Sequence, residues 1–123
     1  MKSKSPKPLY PLNSVKKLIR DNKVNFHWDA IHAFEDFGWK SDEIKRCLLK
    51  LNDKHHVDDP IKNHFYKTEL HRKERVYIDV YKAVDIMEGN DVYTYLYIDQ
   101  YFDRLVVYSF QELDKNEMRT LQR

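Results

Sequence analysis

The sequence predicts an α+β fold, and three observations carry that expectation. Residues 13–51 hold three segments whose apolar side chains recur at three- and four-residue spacing, the helical period. Residues 64–110 hold four short runs rich in Val, Ile, Tyr and Phe, the composition of strands. Only two glycines and four prolines punctuate the chain, which suits a regular fold with few elaborate loops. Helices followed by consecutive strands imply N-terminal helices packed on one face of a C-terminal antiparallel sheet.

Each element has a local reason. Residues 1–12, MKSKSPKPLYPL, are basic and aperiodic and read as a flexible arm, either a solvated end or a strand of charge for a polyanion. In NSVKKLIRDNK, Asn13 or Ser14 can cap a helix with Val15, Leu18 and Ile19 on one stripe. In WDAIHAFEDFG, Asp29 is the cap, Ala30, Ala33, Phe34 and Phe37 share a face, and Gly38 ends the helix in a left-handed turn. SDEIKRCLLKL opens with Ser41 as cap, sets Asp42 and Glu43 against the positive helix end, and aligns Ile44, Cys47, Leu48 and Leu51. Pattern dissolves over residues 52–62, where Pro60 opposes helix and central strand alike. The strand runs are 64–70, 75–84, 92–98 and 104–110, joined by connections short enough for a meander. Residues 113–123 form a tail with helical potential, leaving 13–112 as the single folded domain.

Composition narrows the function. A chain of 123 residues buries one core without a metal or disulfide. The single Cys47 has no intrachain partner and falls in an apolar helical stripe, so a buried free thiol is expected rather than a nucleophile. No apolar run resembles a signal peptide or a membrane span, and a cytoplasmic setting fits, with no membrane partner. A net charge of +2 does not by itself mark a nucleic-acid binder.

The informative stretch is DVYTYLYI, residues 91–98. Alternation separates Val92, Thr94, Leu96 and Ile98 from Tyr93, Tyr95 and Tyr97. With the first set on the core, the same rule makes Val76, Ile78, Val80 and Val84 core-facing and leaves Arg75, Tyr77, Asp79 and Tyr81 beside the three tyrosines. Tyrosine is a good strand former, and cross-strand rings stabilise sheets, so the face has a structural reading. Phenols interleaved with charge also suit the stacking of bases and the holding of phosphates.

The ordered series FYK, DVY, VY and LVVYSFQE, with SVKKLIRDNKV upstream, resembles the MqsR-type mRNA interferases, toxins of bacterial toxin–antitoxin pairs, over residues 13–112. The resemblance implies a RelE-like α+β fold, partners in messenger RNA and a cognate antitoxin protein, and no cofactor. It also implies metal-independent RNA cleavage in which the RNA's own 2′-hydroxyl is the nucleophile. The family's catalytic lysine falls on Lys67, and its catalytic tyrosine on Tyr93, or on Tyr95 if the longer hairpin shifts the match by two residues. Two family positions are altered: a glutamine is Ile78 here, and a lysine is Gln111.

Internal transesterification needs a base for the 2′ proton, positive charge for the phosphorane and an acid for the 5′ oxygen. On this reading Lys67 stabilises the phosphorane, Tyr93 or Tyr95 handles a proton, and Arg75 or Arg104 holds a phosphate. Strand alternation adds Asp79 or Tyr81 as the base. Phe65 and Lys67 share a parity, so a bulge or an edge position must bring the lysine to the open face. The segment HRKER, residues 71–75, is either a solvated turn or a track for phosphates. His55, His56, Asp58 and Asp59 are of metal-ligand type but lack zinc-site spacing, and they read as a solvated loop. His27, His32, Trp28 and Trp39 read as structural residues at or near the second helix. Loss of activity through Ile78 and Gln111, leaving an RNA-binding or partner-binding protein, is the rival reading.

Overall fold

The computed structural model describes residues 7–27, 30, 37–52 and 64–113. Among them are two helices and five strands: α1 Leu12–Arg20, β1 Val24–Phe26, α2 Ser41–Leu48, β2 Phe65–His71, β3 Val76–Met87, β4 Asn90–Asp99 and β5 Arg104–Glu112. The segment expected as a middle helix, the 53–63 loop and the tail lie almost wholly outside the described residues. No helix of the described chain is long and apolar enough to cross a membrane.

The strands form one sheet in the order β1-β5-β4-β3-β2. Four of them make the expected antiparallel meander, but β1 runs parallel to β5, with Val24 beside Leu105 and Phe26 beside Val107, so the sheet is mixed. Three residues are too few for alternation to show, which is why β1 is silent in the sequence. The β3–β4 hairpin closes through Glu88 and Gly89, both at positive φ, the geometry whose twist matches a two-residue hairpin.

Helix α1 starts one residue ahead of the expected cap. The carbonyl of Pro11 accepts from the backbone N–H of Ser14 and Val15. Helix α2 is capped one residue ahead of the expectation, at Lys40 with Ser41 as the first helical residue, and Glu43 accepts from the Lys40 N–H at 2.8 Å. Leu12, Val15, Leu18 and Ile19 of α1 and Ile44, Cys47 and Leu48 of α2 join one apolar cluster with Tyr81, Val92, Leu96, Leu105, Val107 and Phe110 of the sheet. Trp39 belongs to it, stacked on Phe37 with centroids 4.6 Å apart. Cys47 is buried as expected, and loss of solvent pushes its thiol up to about 12, so it stays protonated. Asn52 and His64 tie their backbones together at 2.7 Å, and the His64 Nδ1 accepts from the Asn52 N–H at 3.0 Å.

Asp79 is buried and anchors the segment that precedes α1. Its carboxylate accepts from the backbone N–H of Leu9 at 3.0 Å, from that of Tyr10 at 2.8 Å, and from the Thr68 hydroxyl at 2.5 Å. Tyr10 in turn donates its hydroxyl to the Tyr77 carbonyl at 2.7 Å. The last residues of the expected arm are therefore held to β3. Burial raises the Asp79 carboxyl above the usual aspartate range, and the three donors oppose that rise without cancelling it.

Asp79→Ala leaves two backbone donors without an acceptor and should lower unfolding free energy in urea by about 2–3 kcal/mol. The raised carboxyl also fixes a pH dependence. Between the ordinary aspartate value and the raised one, the folded chain binds more proton than the unfolded chain, so stability falls as pH rises through that window. In Asp79→Asn this component is missing, so the parent-minus-variant difference in urea midpoint should decline across the window and level off above it.

Candidate active site

Registry across the sheet assigns the faces. Asp79 lies opposite Leu96, Tyr81 opposite Thr94 and Ala83 opposite Val92, so these β3 side chains share the face of the apolar cluster. Val80 lies opposite Tyr95 and Lys82 opposite Tyr93, on the tyrosine face. The expected division of β4 holds. The parity expected of β3 is reversed: Ile78 and Val80 lie on the tyrosine face, and Asp79 and Tyr81 on the cluster face.

Four of the residues expected on the tyrosine face are placed elsewhere by this registry. Tyr81 is fully buried in the cluster, edge-on to Phe65 at 5.6 Å. Asp79 is buried and engaged with residues 9 and 10. Tyr77 is 53 % exposed but pairs with Leu70 on the cluster-side parity. Arg75 ends the β2–β3 turn at φ 58°, outside the ladder. Arg104 lies at the far end of the tyrosine face, opposite Asp99, with its Nε donating to Asn25 Oδ1 at 3.0 Å.

The residues expected to do chemistry do converge. A bulge between Phe65 and Lys67 brings the lysine opposite Val80. One row across the sheet then reads Lys67, Val80, Tyr95, Ser109, and the next reads Lys82, Tyr93, Gln111. The hydroxyls of Tyr93 and Tyr95 are 2.8 Å apart and link the rows, with the rings edge to face at 5.3 Å. Lys67 is exposed, and its Nζ meets Glu69 Oε1 at 2.9 Å; this hydrogen bond is the main cause raising the ammonium above the usual lysine value, and the Tyr95 phenol adds to it. The lysine is therefore a cation at any physiological pH.

Sequence reasoning missed Lys82, Tyr66 and Tyr108, and took His71 only as the start of the 71–75 segment. Lys82 is only 8 % exposed, with Nζ 3.9 Å from the centre of the Tyr66 ring and 5.3 Å from that of Tyr93. Each parity of β3 carries one charged residue at its middle, Asp79 or Lys82, so neither face declared itself. Farther along the same face the Tyr108 ring lies 4.2 Å from His27 and 4.7 Å from His71. His71 and Tyr108 sit three strands apart, about 14 Å at ordinary strand spacing. Both side chains must lean inward over the sheet to meet, which helps to bury Ile78, Val80 and Val106 beneath the face. Burial also raises the Tyr97 phenol above the usual tyrosine value, with Glu74 and Asp99 adding to the rise.

A five-stranded sheet with two helices, and one face on which ammonium and phenol groups gather, defines an α+β domain with a polar, aromatic sheet face. A family model described as motility quorum-sensing regulator, toxin of MqsA, matches residues 7–112, and the chain belongs to this MqsR toxin family. The matched span begins ahead of α1 and includes Leu9 and Tyr10, the residues Asp79 holds. No curated protein matches the chain. Membership implies an antitoxin partner.

The reversed parity is testable by stability alone. Tyr81→Ala should cost about 3–5 kcal/mol in urea unfolding, as a large ring leaving a packed core. Tyr77→Ala should stay within about 0.5 kcal/mol of the parent.

Proposed function

We propose that the chain is a metal-independent endoribonuclease that cuts messenger RNA, the toxin of a pair whose antitoxin binds and silences it. The observation that carries this reading is the convergence of the Lys67 ammonium and the Tyr93–Tyr95 hydroxyl pair on one sheet face, in a chain of the MqsR toxin family. The finer fold assignment, RelE-like with the helices over the opposite sheet face, belongs to the same reading.

In this mechanism the 2′-oxygen attacks the adjacent phosphorus, the P–O5′ bond breaks, and the products are a 2′,3′-cyclic phosphate and a 5′-hydroxyl. Lys67 supplies positive charge to the phosphorane, where a fixed cation is worth most in the transition state. The Tyr93–Tyr95 pair can pass a proton along its hydroxyl–hydroxyl bond and deliver it to the departing 5′-oxygen. A phenol acts as a proton donor without ionising first, so its ordinary high pKa is no obstacle in that role. Asp79 and Tyr81, on the cluster face, are no longer candidates for the base. Glu69, on the parity of Lys67 and bonded to it, is the carboxylate in reach and takes that role here. Tyr66 and Tyr97, both partly exposed, offer rings for unpaired bases.

Purified protein incubated with RNA in excess chelator should yield 2′,3′-cyclic phosphate ends. Lys67→Ala should lower the cleavage rate by about a hundredfold or more, and so should the double change Tyr93→Phe with Tyr95→Phe. Binding without cleavage in the parent would instead identify a non-catalytic RNA-binding relative. Parent-like rates in both variants would remove the proposed site.

A further inference from the structure

We infer that Lys82 is a phosphate-holding residue of this site, seating a backbone phosphate of single-stranded RNA beside the Tyr93–Tyr95 pair. The inference rests on the ribonuclease reading above and adds a contact that the sequence and the family resemblance do not assign.

Its ground is an imbalance of charge and burial. Lys67 has a carboxylate partner in Glu69, whereas Lys82, a far more buried residue, meets with its ammonium ring faces only among the described residues. Packing a lysine stem so closely restricts the hydration of its ammonium, and ring faces replace only part of what is lost. A lysine whose sole purpose was to pack would sit more favourably as methionine or leucine. The arrangement is instead that of a cation whose stem is buried and whose ammonium is held over two rings at the surface of the face, where an anion arriving with the substrate can meet it. Low local dielectric makes such a contact stronger than one from a solvated lysine.

Position supports the same reading. Lys82 and Tyr93 face each other across β3 and β4, and the Lys82 backbone N–H is fixed by the His64 carbonyl at 2.9 Å. Tyr66 comes from the bulge that also presents Lys67, and its ring lies within 5.5 Å of the Lys67 Nζ and 3.9 Å of the Lys82 Nζ. The two ammonium groups therefore stand in adjacent rows on the β2–β3 side of the phenol pair. That spacing suits a polyanion lying across the strands, with its bases on the neighbouring rings.

The test is RNA binding by the full chain, read by fluorescence anisotropy with a single-stranded 2′-O-methyl RNA that cannot undergo internal attack. Affinity is measured from about 50 to 200 mM salt, because each lost phosphate contact lowers the slope of log K against log salt by about 0.7 for single strands. Lys82→Met, which fills the same space without charge, should reduce the slope by about 0.7, while Lys82→Arg should retain it. Lys82→Gln carries the same expectation if the methionine variant does not fold. A weakened affinity with an unchanged slope would mean that the side chain only spaces the two rings, and would overturn the inference, as would an unchanged affinity. If the parent binds no RNA, the ribonuclease reading falls and takes this contact with it. If the parent binds and the slope is indifferent to residue 82, only this contact falls.

Discussion

Burial of β3 on both of its faces is the constraint on which the rest of the molecule depends. From Ile78 to Ala83 every side chain is buried, including an aspartate, a tyrosine and a lysine. Odd positions complete the cluster shared with α1 and α2; even positions form the floor of the tyrosine face. A strand buried on one side only would leave the second face to solvent and its side chains free to wander. Here the second face has its own apolar floor in Ile78, Val80 and Val106, so the rings above are held by packing.

Double burial also explains why the two charged residues of β3 behave so differently. Asp79 faces the cluster and is surrounded by donors, two from the chain ahead of α1 and one from Thr68, which convert a buried carboxylate into an attachment point. Lys82 faces the other way and finds π-electron density rather than oxygen. The first arrangement is closed and structural. The second is open-ended, because a lysine buried along its stem and held over rings leaves its ammonium free to take an anion.

Much of this was legible from the chain. The three-to-four spacing of Val15, Leu18 and Ile19, and of Ile44, Cys47 and Leu48, gave both described helices, and alternation in β4 gave its faces correctly because Tyr93, Tyr95 and Tyr97 contrast with Val92, Thr94 and Leu96. The parity demand at Phe65 and Lys67 required a bulge or an edge position, and both occur there. β3 was misread because alternation is informative only when one face is wet: Ile78 and Val80 are as apolar as a core demands, yet the face they cover is not the main core. β1 was missed because its pairing with β5 is decided by tertiary contact and not by three residues of pattern. The meeting of His71 with Tyr108 depends on side chains reaching across three strand spacings, which local sequence does not encode.

The two departures from the family pattern acquire a physical setting in the rows of the tyrosine face. The resemblance places a lysine at position 111, and here Gln111 lies opposite Tyr93 on the β5 side, able to offer a neutral donor but no charge. Lys82 lies opposite the same tyrosine on the β3 side. A cation therefore adjoins Tyr93 in this chain from the strand across from the altered position. Ile78, where the resemblance places glutamine, lies fully buried in the floor and has no donor to offer. Polar work on this face thus falls to groups standing above that floor, which places Lys67, Glu69, Lys82 and the phenol pair in one compact layer. On the proposed ribonuclease reading, a phosphodiester in this layer meets both ammonium groups on the β2–β3 side of the phenols and neutral groups, Ser109 and Gln111, on the β5 side, so the charge that stabilises a phosphorane comes from one direction.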